Sequence, residues 1–296
     1  MWKINARTVS SRIAVSLFVA AGAAAGLGLT AAPAAGAEPA SPTATSPSMA
    51  RTPSMASAAA IGTAAPTIVL VHGAFADGSS WDRVVPLLQA KGYNVVSVYE
   101  PFTSLADDVA ATKRAIDAQA GEVILVGHSY GGAVITEAGN DPRVVALVYV
   151  AAFSLDAGES VNDLGKGKPA PAWLATLKVD TGGYAWLPLE TVTKDFAQDI
   201  SPAEAKLLAA KQGPIPVKSF DDKVKTPSWK DKPVWYLRTT ADHMIDPAAQ
   251  TFMAKRMNAT TTSVNASHVV MLSKPKEVAA VILSAAAVAA KPTASN

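Results

Sequence analysis

Gly127-His128-Ser129-Tyr130-Gly131 sets a serine between two glycines. The β-branched run Val123-Ile124-Leu125-Val126 precedes it, and Gly132-Ala133-Val134-Ile135-Thr136-Glu137-Ala138 follows as a helix start. The pattern is a strand, a sharp turn and a helix, with the serine at the tip. So tight a turn is strained, and a Cβ at the flanking positions would collide with neighbouring backbone. The hydroxyl is then exposed at the carboxyl end of a strand, over a helix N-terminus whose dipole favours developing negative charge. That arrangement suits nucleophilic attack on a carbonyl carbon.

A serine hydroxyl is a weak nucleophile until a base takes its proton and a third group orients that base. Four histidines are available: His72, His128, His243 and His268. His128 adjoins the serine and is expected to point away from it across the turn. His72 ends the first apolar run, and His243 lies in the loop after Val234–Arg238. His268 follows the run Thr260–Val264 and precedes the last helix. A serine on such a turn is followed in the chain by the acid and then the histidine, which selects His268 as base. Asp242 and Asp246 both follow the preceding strand. Asp242 is nearer the strand end and is taken as the acid; Asp246 precedes Pro247 and reads as a helix N-cap. The oxyanion formed in acyl transfer needs fixed donors. The Tyr130 amide is one. The loop His72-Gly73-Ala74-Phe75-Ala76-Asp77-Gly78 supplies the other, with Gly73 turning the backbone inward so that Ala74 offers its N–H. With no cysteine and no clustered His/Asp/Glu ligand set, no metal or organic cofactor is expected.

Positioning these groups requires alternating strands and helices. Strands are expected at Thr67–Val71, Tyr93–Val98, Val123–Val126, Arg143–Val150, Val234–Arg238 and Thr260–Val264. Helices are expected at Ser80–Ala90, Ser104–Gln119, Pro247–Met257 and Lys274–Ala290. Continuously apolar strands alternating with helices imply a parallel sheet covered on both faces. The stretch from about 154 to 230 lacks this rhythm and is too long for a simple loop. It reads as a cap inserted over the carboxyl edge of the sheet, and its Trp173 and Trp186, with Phe75, are candidate substrate contacts.

Val71-His72-Gly73-Ala74-Phe75-Ala76-Asp77-Gly78-Ser79-Ser80-Trp81, Gly127-His128-Ser129-Tyr130-Gly131-Gly132 and Ala266-Ser267-His268 together resemble the α/β-hydrolase superfamily. The resemblance runs from about Pro66 to Ala290 and is strongest to the small-esterase branch. That branch holds plant methyl-ester esterases, plant hydroxynitrile lyases and bacterial pyrethroid-hydrolysing carboxylesterases. It implies an α/β-hydrolase fold: a mainly parallel sheet of about six strands, helices on both faces, and an inserted cap. It also implies Ser129 as nucleophile, His268 as base, Asp242 as acid, and Ala74 with Tyr130 as oxyanion donors. The expected activity is hydrolysis of small, apolar carboxylic esters through an acyl-enzyme. Two alternatives are a hydroxynitrile lyase and a non-catalytic small-molecule receptor. The lyases resemble this branch but carry a lysine after the histidine and a threonine in the first loop, where this chain has Val269 and Gly73. Both differences favour hydrolysis, and an intact Ser/Asp/His set disfavours a pure receptor.

Lys3, Arg7 and Arg12 precede the apolar stretch Ile13–Leu29, and Ala35-Gly36-Ala37 offers a small-residue cleavage site. Residues 1–37 read as a cleaved signal peptide, so a secreted or periplasmic protein is expected, with no stable membrane anchoring after cleavage. Residues 38–65 are rich in Ala, Ser, Thr and Pro and read as a disordered tether; the hydrolase domain is expected over 66–292. Taking three leader cations from the 26 basic residues leaves 23 against 24 acidic ones, with no long run of like charge; nothing suggests a polyanion-binding surface, and no nucleic-acid partner is expected. The expected partner is a small-molecule ester.

Overall fold

The computed structural model describes residues 65–289. The leader expected over 1–37 and all but the last residue of the tether expected over 38–65 lie outside the described residues, as do 290–292.

In chain order the fold begins with β1 (Thr67–Val71), α1 (Val85–Gln89), β2 (Val95–Ser97), α2 (Leu105–Asp117), β3 (Val123–His128), α3 (Gly131–Ala138) and β4 (Val144–Val150). The insert between β4 and the next core strand contributes α4 (Val161–Leu164), β5 (Lys178–Val179), β6 (Tyr184–Trp186), α5 (Leu189–Thr191), α6 (Pro202–Lys211) and β7 (Ile215–Pro216). The core resumes with β8 (Val234–Thr239), α7 (Pro247–Arg256), β9 (Thr260–Val264), α8 (Val270–Ser273) and α9 (Pro275–Ala289). Six strands form one sheet in the order β2-β1-β3-β4-β8-β9, and every pairing in it is parallel. All six residues of β3 are buried, so both faces of the sheet are covered. Helices α2 and α3 pack on one another and on β1; α9 packs on β3, β4 and β8 with α1 beside it. This is the α/β sandwich expected from continuously apolar strands.

One expected element differs. The helix expected over Ser80–Ala90 is split into a 3₁₀ turn, Gly78–Trp81, and α1. Asp77 caps the turn by accepting from the Ser79 amide at 2.9 Å, and Pro86, at the start of α1, has no N–H to continue a longer helix. The last helix begins one residue after its expected start, and a short helix that was not expected, α8, precedes it; Pro275 separates the two, because the residue before a proline avoids the helical region, and Lys274 has φ −133° and ψ 54°. β9 is Thr-rich and mostly exposed, as suits a sheet edge.

The sheet order explains where the site lies. Chain progression from β1 runs one way to β2, and from β3 the other way to β4, so the loops after β1 and β3 diverge. A crevice opens at their carboxyl ends. The register Val71↔Gly127 brings His72-Gly73 alongside His128-Ser129. Glycine makes this approach possible: a Cβ on Gly131 would lie 2.5 Å from the His72 carbonyl oxygen and 2.8 Å from that of Val71. Gly131→Ala therefore forces backbone to move. We expect it to lower stability by about 1–3 kcal/mol, the usual cost of overpacking a tight core, read as a lower midpoint in urea denaturation with an unchanged slope.

Candidate active site

Ser129 sits between β3 and α3 with φ +50°, a left-handed conformation that a non-glycine residue adopts only under constraint. The constraint is visible. The Ser129 amide donates to the Val150 carbonyl at 3.3 Å, and its carbonyl accepts from the Phe153 amide at 3.0 Å. The elbow is thus tied to the end of β4 on both sides.

His268, in the loop after β9, places Nε2 2.8 Å from Ser129 Oγ and Nδ1 2.9 Å from Asp242 Oδ2. Asp242, in the loop after β8, is buried and saturated with donors. Its Oδ1 accepts from the Met244 and Ile245 amides at 2.8 and 3.0 Å. Its Oδ2 also accepts from Thr239 Oγ1 at 2.8 Å and Gln250 Nε2 at 2.9 Å. Burial pushes this carboxyl up, but the charge and hydrogen bond of His268, the Ile245 amide and Thr239 outweigh it and hold Asp242 below its ordinary value. An ionised carboxylate on Nδ1 fixes the imidazole tautomer that leaves Nε2 free to accept the serine proton. Asp246 instead caps α7, accepting from the Ala248 amide at 2.7 Å.

The Ala74 and Tyr130 amides flank the same space. Among the described residues neither donates to a protein acceptor, although both residues are buried. Free, fixed N–H groups beside a serine can receive a developing oxyanion. Gly73 permits this convergence, since a Cβ there would lie 2.7 Å from Ser129 Cβ.

Above these groups lies a cavity of about 560 Å³. Phe75 and Phe153 line it from the core loops; Leu164, Trp173, Leu174, Phe196 and Phe220 line it from the insert. Trp173 is fixed by its Nε1, which donates to the Met244 carbonyl at 3.3 Å. Trp186 is not among the lining residues. It ends β6, exposed, while its neighbour Ala185 is fully buried. The strand's two-residue alternation turns Ala185 inward and Trp186 outward, so its expected place in the pocket is corrected. Among the described residues no group of His, Asp and Glu is arranged to hold a metal ion.

Three supporting residues escaped the sequence reading. Gln250, fully buried, bonds both Asp242 and the Thr239 amide. A polar residue on the apolar stripe Gln250, Met253, Ala254, Met257 was the signal for it. From the insert, Gln198 Nε2 donates to the Ala241 carbonyl at 2.7 Å, and Asp199 Oδ2 accepts from the Ser267 amide at 2.8 Å. These bonds tie the loops carrying Asp242 and His268 to the insert, and nothing local in the sequence marks them. His128 does not bond Ser129, but neither is it idle. Its ring packs 4.7 Å from that of His268, and its Nε2 donates to the His268 carbonyl at 2.9 Å. Burial first, and then the neighbouring His268, push His128 well below its usual value of 6.5. As the pH falls below 6.5 an exposed histidine gains a proton and His128 does not, so acid costs the folded state stability at this position. In ¹⁵N NMR the His128 ring is expected to remain neutral, with the proton on Nε2, as the pH falls through 6.5, where an ordinary histidine titrates; a midpoint at or above 6.5 would refute the assignment.

Residues 68–281 match the model of the alpha/beta hydrolase family. Over 243 residues the chain is 27% identical to an alpha/beta hydrolase of Aspergillus novofumigatus, nvfD, covering 75% of this chain and 96% of that one. Over 136 residues it is 27% identical to methylesterase 1 of Arabidopsis thaliana, covering 36% of this chain and 49% of that one. The solved structure of a pyrethroid hydrolase from Sphingobium faniae matches with a TM-score of 0.65 at 25% identity, covering 75% of this chain and 97% of that one. With the parallel sheet, the serine elbow and a family match that spans most of the sequence, this chain belongs to the alpha/beta hydrolase family.

Proposed function

We propose that this hydrolase cleaves carboxylic esters of small, largely apolar molecules by a serine mechanism. The observation that carries the reading is the continuous chain Ser129–His268–Asp242, with contacts of 2.8 and 2.9 Å, on the wall of an apolar cavity beside two unengaged amides. The similarity to a methylesterase and to a pyrethroid hydrolase supports ester chemistry.

In this mechanism Ser129 Oγ attacks the ester carbonyl carbon while His268 Nε2 takes the hydroxyl proton. The carbonyl oxygen becomes an oxyanion held by the Ala74 and Tyr130 amides. Asp242 stabilises the imidazolium without accepting its proton. Collapse of the tetrahedral intermediate breaks the bond to the alkoxy oxygen, which leaves as the alcohol with the proton from His268. Water then attacks the acyl-serine, giving its proton to His268, and a second collapse releases the acid and returns the proton to Ser129. The apolar walls receive the ester's non-reacting parts, and their exclusion of water strengthens the hydrogen bonds to the oxyanion.

Ser129→Ala is expected to lower kcat on a p-nitrophenyl ester by several orders of magnitude, leaving the residual contribution of binding and the amides. Asp242→Asn disrupts the tautomer control and is expected to cost about 10⁴ in kcat. Asp246→Asn should cost little activity and at most about 1 kcal/mol of stability through the α7 cap. Near-normal turnover by the serine variant, or the reverse ranking of the two aspartates, refutes the mechanism.

Trp173→Ala enlarges the cavity and is expected to change the ratio of kcat/KM between bulky and small esters. An apolar pocket discriminates by about 1–3 kcal/mol per methylene, so a shift of tens to hundreds of fold is the ceiling. Trp186→Ala, outside the cavity, should leave the ranking of esters unchanged. An ester panel varied in acyl and alcohol size distinguishes the two.

A further inference from the structure

Beside the two free amides lies a group of buried polar side chains for which the proposed hydrolysis has no direct use. Glu100, just after β2, is 4% exposed, and neither carboxyl oxygen has a well-aligned hydrogen-bond partner. Its Oε2 lies 3.2 Å from His72 Nδ1. A buried carboxyl so poorly partnered costs free energy and needs a physical reason. His72 Nδ1 is also 3.1 Å from the Gly73 carbonyl. A carbonyl oxygen only accepts, so Nδ1 carries the proton and donates it there. The Gly73 carbonyl and the Ala74 N–H belong to one planar peptide, so holding the oxygen aims the N–H.

A matching arrangement stands behind the other amide. Asp108, fully buried on α2, accepts from the Tyr130 hydroxyl through Oδ2 at 3.0 Å and from the Phe102 amide through Oδ1 at 2.9 Å. The two halves meet at Phe102. Its φ of +51° is left-handed, and its ring stands edge-on to His72 at 5.2 Å and to Tyr130 at 6.2 Å. One short segment, Glu100-Pro101-Phe102, therefore backs both amides.

The charge states suit a rigid support. Burial, with Asp108 adding to it, pushes Glu100 well above its ordinary value, and burial pushes His72 down, so acid and imidazole meet as neutral groups. Burial pushes Asp108 up to about 6 against the pull of the Phe102 amide and the Tyr130 hydroxyl.

We propose that Glu100 and Asp108 are positioning residues for the oxyanion pocket. Glu100 acts through His72 and the Gly73–Ala74 peptide, and Asp108 acts through the Tyr130 hydroxyl. This rests on the reading that the Ala74 and Tyr130 amides receive the oxyanion. Support of that kind favours the tetrahedral state over bound ester, so its loss lowers kcat and leaves KM in place.

The test compares Glu100→Ala, Glu100→Gln, Asp108→Asn, Tyr130→Phe and the double variant Asp108→Asn/Tyr130→Phe with the native enzyme. The measurements are kcat and KM on a p-nitrophenyl ester, affinity for an aryl trifluoromethyl ketone that forms a tetrahedral serine adduct, and thermal melting. Removing an oxyanion donor outright costs about 10²–10³, so misplacing one is expected to cost about tenfold in kcat and a similar factor in ketone affinity, with KM within about twofold. Glu100→Gln keeps the neutral shape and should recover most of the kcat lost in Glu100→Ala. The double variant should lose no more than the worse single, because both changes break one hydrogen bond. Unchanged kcat in both Glu100→Ala and Tyr130→Phe overturns the proposal. So does a loss that appears in KM and melting with ketone affinity preserved, or an additive loss in the double variant. Failure of the underlying reading shows separately and earlier: the native enzyme would then form no ketone adduct, or Ser129→Ala would retain turnover.

Discussion

The close parallel pairing of β1 with β3 is the constraint on which the site depends. It brings the loop after β1 against the turn after β3, so that a Cβ on Gly73 would overlap Ser129 and one on Gly131 would overlap the His72 carbonyl. Close-packed backbone of this kind stores strain, visible in the left-handed Ser129 and in Phe75 at φ +62°. The surrounding sheet over-determines that strain: β3 is buried along its whole length and paired on both sides. A hydroxyl and two free amides end up converging on one point because the backbone has nowhere else to go.

Around that point the polar groups are dry, and each needs partners. Asp242 meets the requirement with two backbone amides, Thr239, Gln250 and His268. An ionised carboxylate so well solvated by protein can remain charged in the interior and still face an imidazole. His128 remains neutral because burial and the neighbouring His268 disfavour its charged form, and its ring has one hydrogen bond and no ion pair among the described residues. Burial thus sorts neighbouring titratable groups into charged and uncharged members within a few ångströms. The same sorting makes a neutral Glu100 compatible with the loop behind Ala74.

The insert does more than roof the cavity. Phe196 packs 5.3 Å from the His268 ring, Gln198 holds the Ala241 carbonyl, and Asp199 holds the Ser267 amide. The segment that lines the cavity is therefore bonded to the loops carrying Asp242 and His268. A change in the insert's sequence reaches Asp242 and His268 through these bonds as well as through cavity shape.

Local chemistry made much of this protein legible as bare sequence. Glycines around Ser129, β-branched runs alternating with helical stretches and the order Ser129, Asp242, His268 are short-range signals, and a parallel α/β sheet follows from them. The separation of Asp242 from Asp246 was legible as well, because an N-cap before proline has its own signature. The outward turn of Trp186, the engagement of His128 with His268, the Gln198 and Asp199 bonds, and the backing of two amides by Glu100 and Asp108 were not. Each depends on which face of an element meets a neighbour, and all but the turn of Trp186 join residues distant along the chain. Spacing along a chain specifies periodicity and turns. The meeting of Asp108 with Tyr130, or of Glu100 with His72, exists only once helices and loops have packed on a sheet and burial has decided which polar groups must find one another.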